Sequence, residues 1–576
     1  MRLSAILFCL LQSYAMAQAP LTVFESSNGT STADYRTVIG FYQQLAATYP
    51  EISIQEIGMT DSGYPLHLVT LDTQQQFDFK KAHADGRTII LINNGIHPGE
   101  PDGIEASMML MRNYAQTDEL QARLGGAVVA VIPVYNIGGA LNRNSFTRVN
   151  QDGPLEYGFR GNARNYDLNR DFIKADTKNT KAFYEIFQLV NPDIFVDTHV
   201  SNGADYQYSI THLMTQHNKM GGALGQYIET SFTPTLEKRM ADKNTDITPY
   251  VNVFNTTPDE SGFSQFLDNP RYSTGYATLF NSLGLMIETH MLKSFKTRVE
   301  STYTLLQVVL DMANTDGSKI KELRKQRIQD IQPGLRHSID WRLTKSENDT
   351  LHFKGYRGQK IKSEVTDQER LAYDSNWPFT KEIPYYNTYV PSTEITIPEA
   401  YVIPQAWHKV IERLTLNGVK FDTVKQDTVL RAEVYYIERY TPAKTVYEGH
   451  YPNNSVITRS DEEEVNLRAG DLIIPVMQEG GRYIVETLEP AGSDSFFTWN
   501  FFDTILQQKE GFSPYVFEDL ALQLLEAEPE LRKAFNKKKK EEPDFALNWY
   551  AQLDYIYKNS PYYEQAHMRY PIYRIK

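Results

Sequence analysis

The 576-residue chain contains one cysteine, Cys9. It sits inside the apolar stretch 5–11, behind the basic Arg2 and ahead of Ala15-Met16-Ala17. A positive start, an apolar core and a small-x-small site make up a secretory leader, here residues 1–17. Cleavage after Ala17 removes the only thiol, which excludes disulfides and leaves packed cores as the source of stability. A secreted or periplasmic address of the bacterial type fits this better than an animal secreted protein. Beyond the leader, no apolar run approaches the roughly 20 residues that span a membrane. Positive charge is also short: 58 Lys and Arg face 72 Asp and Glu, for a net charge of −14. That excludes a nucleic-acid partner, which needs a basic surface. The single basic run, Lys537-Lys538-Lys539-Lys540, is followed by Glu541-Glu542 and reads as a solvated loop or helix end.

Hydrophobic residues make up 41% of the chain, enough for cores in two or more domains. Residues 34–49, 177–190, 221–239 and 295–314 carry helical patterns, and a further helix starts near Pro101. Residues 52–57, 67–71, 88–92, 127–134, 193–197 and 283–288 read as strands. This alternation predicts an α/β domain over 18–333 with a largely parallel or mixed sheet. The charged stretch 317–332 ends in Pro333-Gly334 and marks a change of character. Residues 334–576 are expected to form an accessory region, mainly β to about 510 and helical from 513 to 559.

The chemistry begins at His97-Pro98-Gly99-Glu100, a turn that follows the apolar strand 88–92. Open α/β sheets build their sites at the carboxyl ends of strands. A second apolar strand ends in Val196-Asp197-Thr198-His199. Two strand ends can therefore present His97, Glu100 and His199 to one ion, and two imidazoles with a carboxylate are a hydrolytic zinc set. Glu288 lies inside Leu285-Met286-Ile287-Glu288-Thr289. A carboxylate in an apolar strand is costly unless it is paired or functional, and a raised pKa there suits a general base. Between these segments, residues 160–171 hold Arg160, Arg164 and Arg170 beside Asn169, an arrangement suited to an anion such as a substrate carboxylate. Asp167 is placed to accept from a ligand histidine and hold its tautomer.

His97-x-x-Glu100, Arg160, Asp167-Leu168-Asn169-Arg170, His199 and Glu288 together resemble the zinc carboxypeptidase family, in order and approximate spacing across residues 34–315. The resemblance implies an α/β/α sandwich with a mixed eight-stranded sheet. It implies one Zn2+ per chain on His97, Glu100 and His199, with Asp167 behind the first histidine and Glu288 as general base. It assigns the terminal carboxylate to Asn169 and Arg170. The carbonyl-polarising arginine falls on Arg160, seven residues before Asp167, with Arg164 as its rival. The family's mobile tyrosine falls on Tyr272 or Tyr276. Pro98-Gly99 stands where the pancreatic enzymes carry an arginine, which sets this chain on a distant branch, as does the accessory region.

The function so implied is zinc-dependent, promoted-water hydrolysis of C-terminal peptide bonds, with peptide or protein C-termini as partners. An amidase or deacylase acting on cell-wall peptides or acyl amino acids is the alternative on the same site. A peptide-binding protein without catalysis is the second alternative. The pocket's side-chain preference depends on residues 240–280, where Asp259 and Glu260 would favour basic residues if they reached it.

Overall fold

The computed structural model describes residues 20–576. The leader read at residues 1–17, with Cys9, lies outside the described residues. The chain divides into two compact units: residues up to 327 together with 343–389, and residues 328–342 together with 390–576.

Among the described residues, 20–327 form nine strands: β1 (Ile52–Met59), β2 (Pro65–Leu71), β3 (Ile89–Asn93), β4 (Val128–Ile132), β5 (Ile194–Ser201), β6 (Ile210–Met214), β7 (Thr248–Pro249), β8 (Phe263–Ser264) and β9 (Leu283–His290). Eight of them make one mixed sheet in the order β1-β2-β4-β3-β5-β9-β6-β7. The pairs β4–β3, β3–β5 and β5–β9 are parallel, while β9–β6 is antiparallel. The central strands begin with apolar runs, Ile89–Ile92, Ile194–Val196 and Leu283–Ile287, because both faces are covered there. On one face Ile90, Ile92, Ile194, Val196, Leu283, Leu285 and Ile287 join a core with the helices Tyr35–Thr48, Asp102–Gln116 and Phe295–Gln329. On the other, Phe195 packs against Phe183 and Phe187 of helix Lys178–Val190, which also meet Tyr276 of helix Ser273–Leu279. The expected α/β layering with a mixed eight-stranded sheet is therefore present.

Two helices differ from the sequence reading. Residues 221–239 form Gly222–Tyr227, a π-helical turn at Ile228–Phe232, and Thr233–Ala241 instead of one helix. The helix from Phe295 continues to Gln329, through the charged stretch read as a boundary. Gly317 lies within it, where an added Cβ would meet Thr88 Oγ1 at 1.9 Å. The glycine thus permits close packing and does not break the helix.

After β10 (Arg336–Leu343), the strands β11 (Asp349–Lys362) and β12 (Glu369–Tyr386) form a long antiparallel hairpin. Residues 349–386 were read with the accessory region, yet they return to the first unit, where β12 pairs in parallel with β8. Pro333-Gly334 marks a local change of pattern, and local pattern carries no information about where a later hairpin packs. The second unit pairs β10 with β13 (Tyr389–Thr396). It also contains a six-stranded sheet that includes Ala400–Ile403, Thr428–Pro442, Asn453–Leu467 and Arg569–Ile575. The helices Pro514–Ala527, Pro529–Glu541, Pro543–Leu547 and Trp549–Lys558 share a small aromatic core of Phe517, Phe535, Phe545 and Tyr557. A strand-rich C-terminal region is what the sequence suggested.

Candidate active site

β3 and β5 run parallel, so their carboxyl ends open on the same edge of the sheet. His97 lies just past β3, and the Glu100 N–H closes the turn onto the His97 carbonyl at 2.8 Å. Helix Asp102–Gln116 begins immediately afterwards, with Asp102 and Glu105 in its first turn, where the helix dipole favours negative charge. An added Cβ at Gly103 would meet Thr198 Oγ1 at 2.0 Å. The helix start therefore lies tight against β5, which brings the turn beside His199.

The donor atoms of His97, Glu100 and His199 all lie within 4.8 Å of one another, and all three residues are buried. His97 Nδ1 is 3.3 Å from Glu100 Oε1, and His199 Nδ1 is 3.1 Å from Glu100 Oε2. Such separations match the edge of a tetrahedron with ligand bonds of about 2.0–2.2 Å. The outer nitrogens are held by carboxylates: His97 Nε2 is 2.9 Å from Asp167 Oδ1, and His199 Nε2 is 2.8 Å from Asp197 Oδ2. A proton on each Nε2 leaves the Nδ1 lone pairs facing inward, which is the arrangement that orients metal-binding imidazoles. The donor set fits zinc. Burial works against the Asp167 carboxylate, but His97, Arg160 and Arg170 hold it well below the usual range.

Glu288 is the register partner of His199 across the β5–β9 pair and faces the same side of the sheet. Burial, opposed by His199 and reinforced by Glu100 and Asp197, pushes its carboxyl up to about 8. The three donors and Glu288 share a cavity of about 490 Å³ with Arg148, Arg160, Asn169 and Arg170, a size typical of ligand pockets.

The polar segment enters as a single turn of 3₁₀ helix, Leu168–Arg170, capped by Asp167, whose side chain accepts from the Asn169 N–H. Asn169 Oδ1 accepts from the Ser273 N–H at 3.0 Å, and Arg170 donates to the Asn169 carbonyl at 2.9 Å. Arg160 donates to Asp167 at 2.7 and 3.0 Å and keeps its remaining nitrogen 3.3 Å from His97 Nδ1.

Residues 38–200 match the family model for zinc carboxypeptidases, a span that holds all three metal donors. That segment of the chain is therefore similar to the zinc carboxypeptidases. It is 22% identical over 488 residues to carboxypeptidase 2 of Trichophyton rubrum, covering 82% of this chain and 84% of that one. It is 24% identical over 510 residues to carboxypeptidase 2 of Trichophyton equinum, covering 84% and 87%. Among solved structures, a metallo-carboxypeptidase from Burkholderia cenocepacia aligns over 49% of this chain and 68% of its own, at 18% identity and a TM-score of 0.36. The matched family model and these relatives support a peptide hydrolase.

Not every residue singled out from the sequence reaches the cleft. Arg160 lines it, whereas Arg164 donates to the Asp176 carbonyl at 2.9 Å and lies outside the lining. Tyr272 lines the cleft with its ring 4.6 Å from the Arg170 guanidinium. Tyr276 is fully buried and stacked 5.2 Å from Tyr184, in the aromatic layer under the sheet. A helix that starts at Ser273 turns the residue four positions beyond Tyr272 into the core. Asp259 pairs with Lys381, and neither it nor Glu260 lines the cleft.

Three residues of the site went unassigned in the sequence, two of them in the cleft lining and one behind His199. Asp197 holds His199 and also accepts from the Ser273 hydroxyl. Its signal was available, since it stands two residues before His199 in one strand and therefore on the same face. Arg148 donates to Glu100 Oε1 at 2.6 Å, and Tyr250 lines the cleft. Both come from irregular segments with no periodic signal.

Proposed function

We propose that this protein is a zinc-dependent metallocarboxypeptidase that removes C-terminal residues from peptides outside the cytoplasm. The observation that carries the reading is the meeting, in one cavity, of the His97-Glu100-His199 donor set, Glu288 and the Asn169-Arg170 pair. When bound, zinc supplies Lewis-acid polarisation of a carbonyl and of water. Arg170 and the Asn169 amide hold the substrate carboxylate, so the last peptide bond is the one presented. Glu288 takes the proton from the attacking water and returns it to the leaving amine. Arg160 donates to the developing oxyanion, a contribution of about 3 kcal/mol for one well-placed donor. The leader pattern at residues 1–17 and the absence of any thiol after it support the extracytoplasmic address. Among the described residues, no helix is long and apolar enough to cross a membrane.

Two measurements test this reading. Peptides with free C-termini should be hydrolysed and their amidated counterparts left intact; equal cleavage of both overturns the exopeptidase assignment. The Glu288→Gln variant should keep its zinc by metal analysis while kcat falls by at least about 10²-fold. Retained turnover removes Glu288 from the mechanism.

A further inference from the structure

The hairpin β11–β12 has no part in the site described so far, yet it packs against the back of one cleft wall. Residues 250–254 alternate. Tyr250, Asn252 and Phe254 line the cavity, while Val251 and Val253 are buried on the opposite side. The two valines join a cluster with Phe353, Ile383 and Tyr385 of the hairpin and with Tyr206, Tyr208 and Phe263. Little else holds this segment. Beyond the two-residue β7 it belongs to no strand. Its backbone donates from Tyr250 N–H to the His212 carbonyl at 2.8 Å and makes two tight local contacts, Asn252 to Tyr250 and Val253 to Val251. Its position is therefore set by side-chain packing on the hairpin.

The hairpin also grips both flanks of this wall. Lys354 pairs with Asp246 and Lys381 with Asp259. The Tyr373 hydroxyl donates to the Thr256 carbonyl at 3.1 Å. An added Cβ at Gly358 would meet Thr257 Cγ2 at 2.1 Å, so the two backbones are in close approach. The neighbouring segment, which brings Asn202 to the cavity, is tied in as well. Gln207 donates its side-chain amide to the Gly355 and Phe379 carbonyls at 2.9 and 2.8 Å.

We infer that the hairpin at residues 349–386 is a substrate-selecting element, which fixes the wall of Tyr250, Asn252 and Phe254 so that it receives bulky apolar side chains of the peptide. The wall offers two rings and one amide. The same cavity is lined by Leu213, Phe266 and Met286, and its only carboxylates are Glu100 and Glu288. A basic side chain there would lose water without meeting a carboxylate on the wall, whereas an aromatic one gains contact area. Phe353 is on this account a positioning residue: it touches no substrate and acts through Val251 and Val253. The inference rests on the peptide substrate proposed above.

The test uses the zinc-loaded full chain carrying Glu288→Gln and measures Kd by calorimetry for N-acetyl-Phe-Phe and N-acetyl-Gly-Gly. Phe353→Ala should weaken the aromatic peptide by about tenfold and leave the glycine peptide unmoved. Phe254→Ala should do the same, and the double variant should be no worse than the weaker-binding single one, because both act on one wall. Phe353→Leu should recover most of the loss. Additive effects overturn the inference, as do parallel shifts for both peptides or an unchanged aromatic Kd. If Phe353→Ala fails to fold, Phe353→Leu and Ile383→Val make the same comparison, with a smaller shift confined to the aromatic peptide. With native Glu288, a binding preference for the aromatic peptide without turnover overturns the hydrolase reading and keeps the selector. Turnover without that preference does the reverse.

Discussion

Each imidazole of the candidate donor set has a carboxylate on its outer nitrogen, Asp167 for His97 and Asp197 for His199. Neither aspartate belongs to the donor set, but each decides which nitrogen keeps its lone pair. Replacing Asp197 with asparagine should lower zinc affinity by about 10–100-fold with the fold intact. Competition with a chelator of known affinity measures this, and an unchanged zinc Kd rules the orienting role out. Asp167 was legible because it opens a polar run with recognisable spacing. Asp197 stood in plain sight two positions before a ligand, but a buried aspartate in an apolar strand has several ordinary explanations. Only the 2.8 Å contact selects one.

At the scale of the element, β9 shows how one strand serves both core and chemistry. Leu283, Leu285 and Ile287 pack into the main core, while Met286 and Glu288 face the cleft. Strand alternation makes this division automatic. Leu213 on β6 is the register partner of Met286, so the cleft continues from Glu288 onto an apolar floor. C-terminal Phe or Leu should therefore be cleaved at least about tenfold better than C-terminal Lys, compared as kcat/KM. Met286→Asp should narrow or reverse that ratio. A native preference for lysine would contradict the apolar floor. The strands and most helices of this unit were readable because hydrophobic period and burial coincide. The helix Phe295–Gln329 was under-read because Gly317 resembles a breaker when Thr88, its neighbour in space, is not visible in the sequence.

At the scale of the whole molecule, the three candidate donors come from two distant segments, so metal binding there would be linked to folding. Zinc at about 100 times its Kd should stabilise the native state by about 2.7 kcal/mol. Calorimetric melts with and without chelator measure this, and coincident Tm values would mean that the site does not bind zinc in the native fold. A second long-range tie is the Asp102–Arg298 pair, both members buried. Arg298 also donates to the carbonyls of Asp152, Gly153 and Lys293. Arg298→Ala leaves Asp102 charged and dry, and should cost about 3–5 kcal/mol in denaturant unfolding. A loss below about 1 kcal/mol would show that water replaces the guanidinium.

The sequence by itself determined the layered α/β unit, the two strand ends that carry His97, Glu100 and His199, the buried carboxylate of Glu288 and the Asn169-Arg170 turn. Each of these is written in local period, in spacing or in the cost of a polar group among apolar neighbours. Only the tertiary structure decided that Arg160 faces the cleft and Arg164 does not, that Tyr276 is core, that Arg148 and Tyr250 complete the lining, and that residues 349–386 fold back behind residues 250–254. These outcomes depend on contacts between residues far apart in the chain. The burial and packing that select such contacts exist only once the chain has closed on itself.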